Sequence, residues 1–402
     1  MVYVNPLTDM AARINSFMLL TLILLMVISC STQQSEEEYN ASLEFEKMDS
    51  VRVHYLGQLN LMDVSPEHKK VLLFNQMEGT FLISDFKGNI LSTFNKGADA
   101  PDSYGRFPIS AGKFSQDGQR IGLVSNMGLF NYDLEGNLVS SVRFPRDESP
   151  AFAGRASADS EFYDLGDKTL IKGVEAWGKY QRNTPEFYDH FLLLALIDNQ
   201  SGEIIRFMGL EDDSIYKNGM GHDIADMMPV MDVNEDKIYM IVGKDTYLNV
   251  YDLKAPHRLV QRTALPLTDF KQNQGEEFAK VDPRMIRPDM SAGRISNLKV
   301  LGDYVILSYF QGYDDQDKEA FDQIANAQEY AAFTQRTKEK YPRKLLILDK
   351  KGNKIKETNV LEGFNESQFM VRGEHLWFMS KLNEEEEEDF WTVYKIALVA
   401  GQ

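Results

Sequence analysis

The chain lacks most of the features that assign a function by motif. It has one cysteine, Cys30, in 402 residues, so no disulfide can form within it. It has no apolar run able to cross a bilayer: the longest, Phe17 to Ile28 (FMLLTLILLMVI), spans 12 residues, against the roughly 20 that a membrane helix needs. Basic residues are scarce, 43 against 61 acidic ones, and a net charge of -18 repels a phosphate backbone, which argues against nucleic acid as a partner. The six histidines, His54, His68, His190, His222, His257 and His375, show no His-x-His or His-Glu-x-x-His spacing. Gly-x-Ser-x-Gly, Walker and Gly-x-Gly-x-x-Gly patterns are missing as well. No catalytic residue, metal site or cofactor is therefore assigned. Ser110-Ala111-Gly112-Lys113 matches Ser-x-x-Lys but reads as packing in an inner strand. Asp232 to Asp236 opens like an EF-hand loop, yet Lys237 stands at the glycine position and Gly243 at the glutamate position, so it reads as a strand-connecting turn.

What is present begins with the N-terminus. Phe17 to Ile28 has the length of a signal-peptide apolar region, preceded by a weakly basic flank with Arg13 against Asp9, and Met10 is an alternative start. Val27-Ile28-Ser29-Cys30 directly after it resembles the lipobox of bacterial lipoproteins. That resemblance implies a cleaved signal peptide over 1–29 and a mature N-terminus at Cys30 carrying a diacylglyceryl thioether and an amide-linked acyl chain, a durable membrane anchor. Residues 30–42, opening Ser31-Thr32-Gln33-Gln34-Ser35-Glu36-Glu37-Glu38, read as a polar, solvated tether. The acidic cluster looks like the surface-export signal of Bacteroidota lipoproteins, or is a charged spacer. The expected location is the cell envelope, as an outer-membrane lipoprotein that is periplasmic or surface-exposed.

The remainder, 43–402, is 43% hydrophobic and 11% aromatic over the whole chain, ample for a large core. One hairpin recurs. It appears as FLISDFKGNILSTF from Phe81, LFNYDLEGNLVSSV from Leu129 and LLILDKKGNKIKET from Leu345, with altered turns from Leu192 and Tyr247. The Asp-x-x-Gly-Asn centre is turn chemistry: Asp bonds its own backbone and Gly supplies positive φ. A further strand with its own tight turn precedes most copies, so each unit reads as a four-stranded meander, and radially repeated meanders make a β-propeller. Six are counted, near 59–94, 109–144, 160–208, 229–264, 294–358 and 366–400, with seven as the fallback. The sixth lacks a fourth strand, and Val51 to Leu56 is a spare strand that closes the ring if it pairs there.

The Gly-and-Pro-rich connection Asn95 to Phe107 after the first hairpin looks like that of the six-bladed propeller lipoproteins of Bacteroidota, whose shape is related to TolB-like and NHL-repeat propellers. The resemblance implies an all-β fold and a compartment, and carries no catalytic signature, since most members are without assigned activity.

The expected connections divide by length. Turns such as Gln116 to Gly118 and Asp349 to Asn353 are short, whereas 95–108, 145–159, 175–190, 209–228, 265–293 and 311–343 are long and fall on the opposite face. Long loops on a rigid scaffold are the usual carriers of binding. Tyr313 to Tyr341 reads as a helix over or beside blade five, from the spacing of Phe321, Ile324, Ala325, Ala331 and Ala332. Candidate ligand contacts are Trp177, Tyr180 and Arg182, in an aromatic insertion continuing to Phe187, Tyr188 and His190; His222 and Asp223, near Asp226; and Arg106, Arg155, Arg284, Arg287 and Arg294, with Arg146, whose forks suit a carboxylate or pair with local Asp and Glu. The run Glu384 to Glu388 reads as a solvated hairpin tip. The leading expectation is a lipid-tethered binding protein for a peptide, glycan or envelope protein; a propeller-type hydrolase or lyase with scattered groups, and a purely structural role, are the alternatives.

Overall fold

The structure, a computed structural model, describes residues 43–401 apart from 98–99, 146–147, 152–155, 176–177 and 383–387. Cys30 with the expected signal peptide and tether, Arg146, Arg155, Trp177 and most of the Glu384–Glu388 run lie outside the described residues. Phe45–Val399 make one compact unit, and its strands form six antiparallel four-stranded sheets.

Blade one is β2 (Asn60–Ser65), β3 (Lys70–Asn75), β4 (Thr80–Asp85) and β5 (Ile90–Asn95), in that order from the axis outward. Blade two holds β6 (Lys113–Phe114), β7 (Arg120–Val124), β8 (Gly128–Asp133) and β9 (Leu138–Arg143). Blade three holds β10 (Tyr163–Asp164), β11 (Lys168–Lys172), β12 (Leu194–Asp198) and β13 (Ile204–Phe207), with helix α1 (Pro185–His190) between its second and third strands. Blade four is β14 (Pro229–Asn234), β15 (Lys237–Val242), β16 (Tyr247–Asp252) and β17 (Leu259–Ala264). Blade five is β18 (Ala292–Leu301), β19 (Tyr304–Gly312), β20 (Lys344–Asp349) and β21 (Lys354–Asn359), with α2 (Asp315–Asp322) and α3 (Ala327–Thr337) inserted after β19. Blade six is β22 (Phe364–Arg372), β23 (His375–Ser380) and β24 (Phe390–Ala400), and its outermost strand is β1 (Leu43–His54). The spare N-terminal strand thus supplies the missing fourth strand. Val51 and Val53 seat it by packing with Trp377, Trp391 and Val393.

The apolar side chains do not meet at one centre. They fill the spaces between neighbouring blades: Phe74, Phe94 and Tyr132 between blades one and two, Leu193, Met231 and Ile238 between three and four, Val250, Leu298 and Leu346 between four and five.

The recurring Asp-x-x-Gly-Asn turn is built the same way three times. Asp85 Oδ1 accepts from the amides of Lys87 (2.8 Å) and Asn89 (2.9 Å), and Asp133 and Asp349 repeat the pattern with Asn137 and Asn353. The glycine is held at φ +85°, +84° and +86° at 88, 136 and 352, where a side chain is strained. It is also a contact point: a Cβ on Gly88 would stand 1.8 Å from Arg52 O of β1, and one on Gly136 2.5 Å from Phe94 of β5. These turns therefore press on the outer strand of the preceding blade.

Two readings are corrected. The 313–341 insertion is two helices, because Asn326 caps α3 by accepting from Glu329 N (2.9 Å) while Glu329 accepts from Ala325 N (2.8 Å), a reciprocal capping arrangement that starts a new helix. Phe333 and Thr337 are its buried residues, while Ala325, Ala331 and Ala332 are exposed. Asp232 sits inside β14, ahead of the turn, and its side chain works at the propeller axis.

Gly88→Ala and Gly373→Ala separate conformation from contact, since both glycines have positive φ but Gly373 has nothing within 4 Å of its Cβ position. The Gly373 change is expected to cost about 1–2 kcal/mol in urea unfolding, and the Gly88 change clearly more, because it also displaces the strand that closes the ring.

Candidate functional site

Each blade contributes one charged residue at the axis: Asp63, Lys113, Glu161 (just ahead of β10), Asp232, Lys299 and Arg372. Three acids meet three bases. Arg372 Nε donates to Asp63 Oδ1 at 2.7 Å and its other arm reaches Glu161, which also pairs with Lys299. Lys299 is 1% exposed and Glu161 6%. Burial alone would raise Glu161, but Arg372, Lys299 and Lys113 outweigh it and hold the carboxyl below its usual range. For Asp63 and Asp232 burial wins and both are raised, though Arg372 and Lys299 respectively oppose it.

This hub also ties blade to blade. Asp63 Oδ2 accepts from Phe114 N (2.7 Å), the Tyr163 hydroxyl donates to Asp232 Oδ1 (3.0 Å), and Asp232 Oδ2 accepts from Val300 N (2.7 Å). Asn297 donates to Phe369 O (2.7 Å), Gln368 accepts from Leu61 N (2.8 Å), and Ala111 N donates to Ser160 O (2.9 Å). All six blade junctions are thereby bridged.

On the long-loop side of the hub lies a cavity of about 540 Å³. Its floor is made by the starts of inner strands and what precedes them, Ile109, Ser110, Ser160, Pro229, Val230, Ile295 and Ser296, and its wall by the ends of second strands, Ile171, Lys172, Gly243 and Lys244. A smaller cavity of about 180 Å³ lies against the hub charges themselves and shares no lining residue with the first.

The connections 208–228 and 265–291 form the rim and are stapled together. Arg182 Nη1 donates to Asp223 Oδ2 (3.0 Å), and its Nη2 reaches the carbonyls of Asp282 (3.3 Å), Pro283 and Met285. Arg287 N donates to the same Asp223 oxygen (2.7 Å). Asp226 receives Lys244 Nζ (2.8 Å), Asn273 Nδ2 (3.2 Å) and Asp289 N (3.1 Å). His222 is 3% exposed, wedged edge-on between Tyr188 and Tyr216, and burial lowers its pKa to about 4, so the ring is neutral.

The predicted residues separate into groups. Arg182, His222, Asp223 and Arg287 line a second, polar cavity of about 450 Å³ beside the axial one, which also shares Asp226 and Asp289 with it. Arg294 lines the axial cavity. Arg106 and Arg284 are exposed and line neither, and Tyr180 stacks on His190 (4.2 Å) beside a recess of only about 70 Å³. Sequence reasoning passed over Lys172, Lys244, Asp159 and Asp289, which stand at strand ends and in loops with no distinguishing pattern. The hub residues did carry a signal: single charges inside apolar runs, as in NLMDVS and SNLKVL. Among the described residues no three His, Cys, Asp or Glu side chains are placed to share a metal ion, and no helix is long and apolar enough to cross a membrane.

No family model matches the sequence, and no curated protein does. The fold is shared with a member of the DUF4221 family from Bacteroides vulgatus, at TM-score 0.62 and 13% identity over 90% of this chain and all of that one. A putative exported protein from Bacteroides fragilis aligns at TM-score 0.47 and 11% identity, over 90% of this chain and 96% of the other. A calcium-binding protein, regucalcin, from Agrobacterium tumefaciens aligns at TM-score 0.43 and 11% identity, over 88% and 95%. The six-bladed propeller read from the sequence is the fold observed.

Neutral burial of His222 has a pH signature. Its folded pKa, about 4, lies below the ordinary 6.5, so its share of stability is complete above pH 6.5 and is lost as pH falls toward 4. The stability gap between the wild type and His222→Gln, from urea melts, is expected to shrink by about 3 kcal/mol between pH 7 and pH 4; a gap independent of pH would mean that His222 is not buried neutral.

Proposed function

We propose that this propeller is a lipid-tethered binding protein of the cell envelope that takes a ligand into the axial cavity of its long-loop face. One observation carries the reading: a cavity of about 540 Å³ is lined by blades two to five near the starts of their inner strands, on the side where the long connections stand. It is within the size range of small-molecule sites and mixes apolar walls with a few polar groups. Asp223, Asp226 and Arg182 tie the rim loops to one another and to Lys244, just past β15. His222 lines the neighbouring polar cavity rather than this one.

β1 leads into the 55–59 connection on the long-loop face. Cys30→Ala is expected to move the protein from the membrane fraction to the soluble one; retention on the membrane would remove the lipid tether.

Ala225 lines the cavity and is half-buried, so Ala225→Trp fills the space without touching the hub. The full chain purified from native membranes is expected to retain a ligand, seen by mass spectrometry, that Ala225→Trp loses while its melting temperature barely moves. Equal recovery by both proteins would place binding elsewhere.

A further inference from the structure

The cavity holds cations of two kinds. Lys244 is satisfied: its ammonium pairs with Asp226 at 2.8 Å and donates to Asp289 O. Arg294 is not. Its hydrogen bond among the described residues is a 3.3 Å contact from Nη1 to Met290 O, and it pairs with no carboxylate there. The guanidinium lies 5.1 Å over the ring of Phe310, whose ring also carries Arg343 at 4.0 Å. The acid that feels Arg294, Glu366, is already paired with Arg343 Nε at 3.3 Å. Burial and the neighbouring Arg343 lower the pKa of Arg294 to about 10, which is the cost of a desolvated cation next to another cation.

Lys172, two blades round the ring on β11, is the second case. Its side chain is 12% exposed, and its ammonium stands 3.8 Å from Asp159, too far for a hydrogen bond. Burial pushes its pKa down, with Asp159 opposing. The same lining includes the apolar Ile171, Met228, Val230 and Ile295, and its carboxylates Asp226 and Asp289 are engaged by Lys244 and Lys318. A half-buried arginine without an acid is destabilising in the empty protein, and persists most simply where a ligand completes it.

We propose that the axial cavity is a receptor site for a small organic acid with an apolar body. The carboxylate is forked by Arg294 against Phe310, the body lies along Ile171, Met228 and Ile295, and a second oxygen-bearing group reaches Lys172. A diacid fills both positions and is the preferred ligand. The inference rests on the binding reading above and names its ligand class. A planar fork and an aromatic backing select carboxylate over an alcohol or amide, because an amide cannot supply the two anionic oxygens.

The test is calorimetric titration of the full chain in detergent with hexanoate, phenylacetate and adipate, each beside its amide. Saturable binding of the acids is expected, with the amides weaker by at least about tenfold and adipate the tightest. Arg294→Met is expected to weaken every acid by roughly a hundredfold, and Arg294→Lys to restore little, since a point charge does not fork. Lys172→Met should weaken adipate and leave hexanoate nearly unchanged. Arg294→Met is expected to melt no lower than the wild type, which separates lost binding from lost folding. Acids that bind Arg294→Met as well as the wild type, or that give no saturable heat up to about 10 mM, overturn the proposal. If the native-membrane ligand lost by Ala225→Trp is then still found, the binding reading stands and only the organic acid falls; if neither is found, both fall.

Discussion

Six charged side chains converge on the axis of this propeller, and none can be satisfied without its neighbours. A buried charge is tolerable only when paired and hydrogen-bonded. Here Arg372 from the last blade holds Asp63 of the first and Glu161 of the third, Glu161 holds Lys299 of the fifth, and Asp232 of the fourth caps Val300 N of the fifth. Removing blade three would leave Lys299 without its ion-pair partner, and removing blade six would leave Asp63 without its own. Ring closure is therefore coupled to charge pairing, and the outer closure, β1 completing blade six, completes at the rim what the hub completes at the centre.

The hub has a second effect, on where a ligand can go. Side chains from all six blades crowd the axis at that level, and the spaces on either side of it share no lining residue. The larger space is lined by the starts of inner strands and by the long connections, and none of the hub charges lines it. Its rim is not a set of independent loops. Arg182, Asp223, Asp226 and Lys244 bind the connections of blades three, four and five into one piece, and Lys318 of α2 reaches Asp289 at 3.2 Å. The same economy explains why a predicted contact is spoken for: Arg182 spends its donors on carbonyls and on Asp223, while Arg294, which lines the cavity, has no ion-pair partner among the described residues.

The aromatic residues of the long insertion follow a comparable logic. Tyr313 packs edge-on against Phe310, Phe333 and Tyr341 at 5.0 Å each, and Asp317 gathers Lys340 and the Tyr341 hydroxyl. The helices are thus anchored to β19 through the same Phe310 that backs Arg294, which links the placement of the insertion to the geometry of the cavity.

What could be read from the chain alone is what depends on local periodicity and turn chemistry. The Asp-x-x-Gly-Asn turns and the alternating strands give six blades and the division into a short-turn and a long-loop face, since these follow from residues adjacent in sequence, and the spare strand at Val51 is visible because the last blade lacks a fourth. The capping pair Asn326 and Glu329 was equally local, and there the two helices were legible though read as one. The candidate site was only partly legible. Arginines are visible in a sequence, but whether one is consumed or left unpaired depends on which carboxylates the fold brings near: Asp223 pairs with Arg182 and Glu366 with Arg343, while Arg294 has no ion pair among the described residues. The hub likewise joins residues as far apart as Asp63 and Arg372, 309 positions along the chain. Local pattern determines the strands and turns of this protein because those interactions are short-range; the pairing of its charges, and so the character of its cavity, is decided only when the six blades meet.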